Sequence, residues 1–320
     1  FSVTRILNIR REGLLGGGLQ IAGTTLIVVF LAMLFGKNFP FSLLLGFIIT
    51  LSSTAIVLKL LMDKGAVNSP HGNLSVGILL FQDISVVLMV MVIQSIGGKS
   101  AGSAFAVAKA LSLSLAAFAV IVVAVAFVIP RIFHRVVKLR NREVFMLTIV
   151  LVCLGTAWLT SLVGLSLALG AFIAGLAISE SEYSEQIVAD VLPFKDTFSS
   201  LFFMSIGMLM DFRYFLNNIA WVLVGVAAIL IVKDAVIIGI GKLLKYPLRL
   251  SIVVGLNLAQ IGEFSFILIK MGLDYGFLST DFYQSLLAAS ILSMALTPFI
   301  YQRSYSLAFN AMDYLNKKGS

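Results

Sequence analysis

Of 320 residues, 60% are hydrophobic and only 12% charged, and the mean hydropathy of +1.05 excludes an ordinary soluble domain. The formal net charge of +8 does not describe a nucleic-acid face, because the basic residues gather in short connections between apolar stretches. The single cysteine, Cys153, lies inside an apolar run, which excludes a disulfide framework and a cysteine-based metal cluster.

Apolar stretches of about twenty residues recur along the chain, each long enough as a helix to cross roughly 30 Å of hydrocarbon. A bilayer requires every backbone polar group to be paired within its segment, so helices are expected. A β-barrel would alternate apolar and polar residues, whereas residues 116–129 are apolar all round. Residues 1–13 read as a basic cytoplasmic loop; the start at Phe1, with no methionine or signal-peptide pattern, leads us to expect further helices upstream. Spans are then expected at 14–35, 41–62, 73–96, 104–129, 143–162, 166–179, 197–210, 218–244, 250–271 and 282–309, about ten in all. Residues 179–196, acidic and containing Pro193, read as a cytoplasmic loop with an amphipathic helix, and 310–320 as a short polar cytoplasmic tail.

The connections agree with this division. Arg5, Arg10, Arg11, Lys64, Arg131, Arg135, Lys138, Arg140, Arg142, Lys195, Lys242, Lys245, Arg249, Arg303, Lys317 and Lys318 fall on one side of the expected membrane, and Lys37, Lys99 and Arg213 on the other. Lysine and arginine accumulate in cytoplasmic loops, so both termini are placed in the cytoplasm. His71 and His134 fall in the connections and read as solvated loop residues. The run Gly16 to Gly18 reads as a close helix contact, since it lacks the lysine and spacing of a phosphate loop.

Two spans are interrupted in comparable places. In the second, Thr50, Ser52, Ser53 and Thr54 break an apolar run with hydroxyls; in the ninth, Asn257, Gln260, Gly262 and Glu263 do the same. Paired interruptions in two halves of a membrane chain point to an inverted-repeat transporter with its site at the midplane, the halves here being 14–96 and 218–309. Between them lies Asp83, in the middle of the third span. A carboxylate at a helix centre costs about 2.5 to 3.5 kcal/mol on insertion scales, so it persists where a cavity or partner compensates it. Burial favours its neutral acid, an arriving cation its carboxylate, and proton and cation therefore compete for one group. Unwound backbone at Ser52, Ser53 and Thr54 offers carbonyl and hydroxyl oxygens, hard ligands for an alkali cation, although ordinary packing between helices also uses such residues. Lys233, deep in its span and next to Asp234, is a counter-charge for a broken helix or for Asp83, or half of a structural ion pair. Glu263 serves the ion path or a helix end.

The segments LSSTAIVLKLL, LLFQDISVV, GAFIAGLAISES, LPFKDTFSSLFFMSIGMLMDF and LNLAQIGEFSFIL, in this order, resemble the monovalent cation:proton antiporter-2 family, most closely its Kef branch of potassium efflux systems. The resemblance covers essentially the whole chain. It implies an all-α integral membrane protein of about thirteen helices, with a dimerisation domain and a mobile core built around two crossed broken helices. Residues 14–96 and 218–309 would form the core and 97–217 the linking and scaffold helices. Asp83 matches the family's ion-binding aspartate and Lys233 the basic residue packed beside it. Gln82 stands where paired-aspartate members of the wider superfamily carry a first carboxylate, which leaves one titratable carboxylate and implies electroneutral, one-for-one exchange.

The reading is therefore a secondary antiporter, not an enzyme, exchanging potassium for protons in the inner (plasma) membrane, with a sodium/proton antiporter as the alternative in the same class and a ligand-gated potassium efflux channel as the alternative in another. Asp83, Gln82, Ser52, Ser53 and Thr54 bind the ion, with Lys233 and Glu263 in support. No resident cofactor and no nucleic acid is expected; the expected partners are membrane lipids, a second copy in a homodimer, and a cytoplasmic nucleotide-binding regulatory domain or ancillary subunit outside this chain. A potassium channel lacks its TVGYG filter here, and an intramembrane protease lacks its second aspartate and its serine–histidine pair.

Overall fold

The structure is a computed structural model that describes residues 11–97, 104–162, 167–179 and 181–319. Most of the expected loop at 1–13, the connection carrying Lys99, and Ser166 lie outside these residues. In chain order the helices are α1 (Arg11–Leu34), α2 (Phe39–Thr50), α3 (Thr54–Asp63), α4 (Pro70–Gly97), α5 (Ala104–Val137), α6 (Arg142–Leu162) and α7 (Leu167–Ser179). They continue as α8 (Ser184–Leu209), α9 (Phe212–Asn217), α10 (Ile219–Leu243), α11 (Leu248–Leu258), α12 (Ser265–Asp274) and α13 (Thr280–Gly319). The described residues form helices and their connections, with no strand. Seven of the described stretches are long and apolar enough to cross a membrane: Leu15–Leu34, Phe39–Asp63, Pro70–Gly97, Leu115–Val137, Arg142–Leu162, Ile219–Leu243 and Thr280–Phe309. The expectation of about ten also counts the short α7, the more polar α8 and the split pair α11–α12.

The chain divides into two compact units. Among the described residues, one comprises those within 104–208 and the other 11–97 with 209–319. In the first, α5 to α8 bury Ile129, Phe133, Phe145, Ile149, Ile178 and Ile187 in a common core. In the second, Val57 and Leu61 of α3, Ile78 and Leu79 of α4, and Leu258 of α11 meet in a cluster that draws the two interrupted helices onto α4. At Gly17 of α1 a Cβ would come within 2.5 Å of the Phe81 side chain of α4, so the glycine run serves close helix packing.

Local chemistry sets the helix ends of this second unit. Gly36, at φ +73, terminates α1 in a left-handed conformation that favours glycine. Asn38 caps α2, its Oδ1 accepting from the Phe41 N–H at 3.0 Å, with Pro40 in the first turn where its missing N–H costs nothing. The helix stops at Thr50, because Leu51 turns extended (φ −74°, ψ 141°), and restarts behind Ser53, whose side chain accepts from the Ile56 N–H at 3.3 Å.

Four expectations need correction. The helix expected within 179–196 is present but is not separate from the span expected at 197–210: α8 runs through Pro193, where the one lost backbone bond is tolerated, Thr197 Oγ1 donates to the Pro193 carbonyl at 3.1 Å, and Ile187 anchors the helix in the core. The span at 104–129 continues through Pro130 to Val137, so Arg131, His134 and Arg135 are helical rather than in a loop. The tail at 310–320 continues α13 as far as Gly319. His71 is buried at the first turn of α4, bonded to Ser69 Oγ (Nδ1 at 2.9 Å) and to Tyr305 OH (3.0 Å) across to α13. Tyr305, 234 residues away, supplies that partner, which local sequence could not reveal.

Candidate functional site

The two interruptions touch. The Gly262 N–H donates to the Leu51 carbonyl at 3.0 Å, and a Cβ on Gly262 would lie 2.5 Å from the carbonyl carbon and oxygen of Ser52 and 3.0 Å from the Ser53 nitrogen. Only glycine permits this approach of backbone to backbone. Side-chain hydroxyls close the remaining gaps. Ser52 Oγ donates to the Leu258 carbonyl at 2.7 Å, Ser265 Oγ donates to the Ile48 carbonyl at 2.7 Å, and the Ile261 N–H donates to Ser293 Oγ of α13 at 3.2 Å.

Where α2 and α11 end, their last carbonyls lack partners within the helix and carry the negative end of the helix dipole. Lys233 of α10 fills that need. It is wholly buried, and its Nζ donates to the Leu51 carbonyl at 2.8 Å, to Ser52 Oγ at 2.9 Å and to the Gln260 carbonyl at 2.5 Å. Three ammonium protons meet three acceptors. The ion pairs among the described residues are Arg142–Asp190 and Lys270–Asp274, so Lys233 pairs with neither Asp234 nor Asp83.

The carboxylates stand at the opposite, positive end of a half-helix. Thr54, first residue of α3, donates its hydroxyl to Asp83 at 3.1 Å from Oδ1 and 3.0 Å from Oδ2, and Asp83 is 2% exposed. Glu263 Oε1 lies 3.5 Å from the Ala55 N–H in the same first turn. A half-helix N-terminus favours negative charge, so the fold itself holds anions here.

Gln82 points elsewhere. Its Oε1 accepts from the Ser52 N–H at 2.8 Å and its Nε2 donates to Gln20 Oε1 at 2.7 Å. Gln20 of α1 in turn donates to the Thr50 carbonyl at 3.1 Å and Thr24 Oγ1 at 3.2 Å. This relay holds the first interruption open between α1 and α4. Near the second, the side-chain atoms of Asn257 and Gln260, Oδ1 of Asp234 and Oε2 of Glu263 are buried with no hydrogen-bond partner among the described residues. The Asp234 carboxylate lies over Gly255, where a Cβ would meet its Oδ1 at 2.0 Å.

All the sequence-selected residues thus come to one crossing, with different tasks. Ser52 and Gln82 are bonded into the frame, Ser53 caps α3, Lys233 joins the two C-terminal ends, and Asp83 with Thr54 presents carboxylate and hydroxyl oxygens together. Gln20, Ser265 and Ser293 were not singled out by sequence reasoning. Gln20 carried a usable signal, an amide in the middle of the apolar run LQIAG.

Known proteins match this chain over most of its length. The family described as sodium/hydrogen exchanger, transmembrane, matches residues 5–303. K(+) efflux antiporter 5 of Arabidopsis thaliana is 31% identical over 306 residues, which are 94% of this chain and 54% of that protein. A putative K(+) efflux antiporter, KefB, of Alkalimonas amylolytica is 34% identical over 310 residues, 96% of this chain and 47% of that one. The putative cation/proton antiporter YbaL of Escherichia coli (strain K12) is 30% identical over 309 residues, covering 94% and 55%. The chain therefore spans about half the length of these relatives.

Proposed function

This chain belongs to the transmembrane sodium/hydrogen exchanger family, and from that premise we propose that it is the membrane part of a Kef-type antiporter exchanging a monovalent cation, potassium, for protons. It is a multi-pass membrane protein of helices. The observation that carries the reading is the buried Asp83 carboxylate held by Thr54 at the start of α3, beside the contact of the two interrupted helices.

The cycle rests on one group. The protonated Asp83 acid loses its proton as a cation arrives, and the cation is taken by the carboxylate oxygens with the Thr54 hydroxyl and neighbouring backbone carbonyls as further oxygen ligands. One proton leaves for one cation, and the net charge of the site is unchanged. Lys233 holds three acceptors already and takes no part in that exchange; Glu263 balances the end of α3. In this reading 14–96 and 218–309 are inverted halves of the translocating core, which exposes Asp83 to each side in turn, and 97–217 provides scaffold and homodimer contacts. The protein sits in the inner (plasma) membrane with both ends of the chain in the cytoplasm, needs no resident cofactor, and answers to a nucleotide-binding regulatory domain or subunit outside these residues. The K(+) efflux names of the relatives favour potassium, and the family description makes sodium the second reading.

The test is reconstitution of the full-length protein into liposomes with a pH dye, imposing potassium or sodium gradients with and without an ionophore that clamps the voltage. A potassium-driven dye response undiminished under clamp, and lost in Asp83→Asn, is expected. Exchange that persists in a folded Asp83→Asn protein would refute the assignment, and cation flux without proton movement would indicate a channel.

A further inference from the structure

We propose that the end of α5 and the turn before α8 form a binding site for the phosphate headgroup of an anionic membrane lipid. Arg131, His134 and Arg135 follow one another at helical spacing on one face of α5. They line a cleft of about 640 Å³ whose facing wall is Ser181, Glu182 and Tyr183. The two walls are tied together, with Tyr183 OH 3.2 Å from His134 Nδ1.

The charges in the cleft are not spent on the protein. Neither Arg131 nor Arg135 forms an ion pair among the described residues, while the nearby Asp190 is bound to Arg142 at 2.8 Å. The Arg131 guanidinium instead lies over the Phe127 ring, 5.8 Å from its centroid, and donates to the Phe127 carbonyl at 2.5 Å, which leaves further N–H groups of the fork free. Glu182, the acid of the lining, is exposed and offsets one of the two guanidinium charges. A planar guanidinium donates to two phosphate oxygens at once, so a phosphate fits this donor set.

The lining also says what kind of phosphate. Towards the interior of the span the same cleft is lined by Ala126, Phe127 and Pro130, and its charged groups begin only at Arg131. Pro130 gives no N–H to the Ala126 carbonyl, so the helix is loosened at the level where the lining changes character. A ligand that satisfies both ends has an apolar chain beside Phe127 and an anionic head at the arginines. Basic pockets between helices at the cytoplasmic side of a membrane bind such lipid heads.

The experiment measures thermal stability of the full-length protein in detergent with added phosphatidylglycerol, phosphatidylcholine or inorganic phosphate, for the wild type and for the Arg131→Gln/Arg135→Gln double variant. The anionic lipid is expected to raise the unfolding temperature of the wild type, phosphatidylcholine and phosphate are not, and the double variant should need about tenfold more anionic lipid for the same shift. An equal response of both proteins overturns the site, and an equal response to phosphatidylcholine overturns the headgroup assignment. Full stabilisation by inorganic phosphate overturns the lipid as its source. If the double variant does not fold, Ala126→Trp, which fills the apolar end and keeps both arginines, must lower the anionic lipid retained in native mass spectrometry; unchanged retention overturns the proposal.

Discussion

Gly262→Ala probes the contact on which the whole site depends. The added Cβ would lie 2.5 Å from the Ser52 carbonyl carbon and oxygen and 3.0 Å from the Ser53 nitrogen. Non-bonded carbon atoms settle at about 3.5–4.0 Å, so the two chains must separate by roughly 1 Å. None of these three atoms can rotate aside, because all are backbone, and the segment is pinned by Lys233 at 2.8 Å on Leu51 and by Gln82 at 2.8 Å on Ser52. Overpacking of this kind costs about 1–3 kcal/mol, and the strained bonds push it to the upper end. Gly239→Ala in α10 is the matched control, since nothing lies within 4 Å of its Cβ position. There alanine should leave stability unchanged or raise it by up to about 1 kcal/mol. Thermal unfolding and the initial rate of potassium-driven dye response in liposomes read both effects, and Gly262→Ala should unfold earlier and lose most of its exchange. If Gly262→Ala matches Gly239→Ala in both measurements, the interruptions are not in contact and the reasoning fails.

Lys233→Met removes the donor from two carbonyls and a hydroxyl in a fully buried setting, and should destabilise the protein by about 3–5 kcal/mol; an unchanged unfolding temperature would show that the ammonium is not engaged there. Gln82→Glu keeps the acceptor for the Ser52 N–H and turns the donor facing Gln20 Oε1 at 2.7 Å into a second acceptor. It should cost about 1–3 kcal/mol, and any exchange that survives should become sensitive to voltage, because the site then holds two carboxylates. Thr54→Val preserves shape and deletes the hydroxyl bonded to Asp83 at 3.0 and 3.1 Å. The half-saturating cation concentration should rise by about tenfold to hundredfold, corresponding to the loss of one bond to a charged group, worth about 1.5–3 kcal/mol. An unaltered cation dependence would remove Thr54 from the site.

The interruptions were legible because hydroxyls and amides are expensive in an apolar run, so Ser52, Ser53, Asn257 and Gln260 stood out against their surroundings. The partners of Lys233 were not. Adjacency in sequence offered Asp234, but neighbours on a helix point about 100° apart, and the acceptors actually used, the Leu51 and Gln260 carbonyls, are backbone atoms without residue identity. Acidic residues and Pro193 made the amphipathic helix of 179–196 read as separate from the next span, whereas burial of Ile187 and the hydroxyl of Thr197 let α8 run through the proline. Gln20 obeyed the rule that found Asp83 and could have been read from it. Ser265 and Ser293 could not, since serine in a membrane helix is ordinary and only the distant Ile48 carbonyl and Ile261 N–H give these two their importance.

The placement of Lys233 bears on stoichiometry through a simple charge balance. Each helix C-terminus carries about half a negative charge, and the ends of α2 and α11 together amount to about one, which the ammonium offsets. Lys233 and the two helix ends are then close to neutral as a group, and the lysine is not the counter-charge of Asp83. With Gln82 contributing no charge, Asp83 shares the N-terminus of α3, worth about half a positive charge, with Glu263, whose Oε1 lies 3.5 Å from the Ala55 N–H. A single proton and a single monovalent cation each add one positive charge at Asp83, so the site carries the same net charge with either one bound. In the proposed exchange, competition of proton and cation for the one carboxylate that Thr54 holds is the physical basis for a one-for-one stoichiometry.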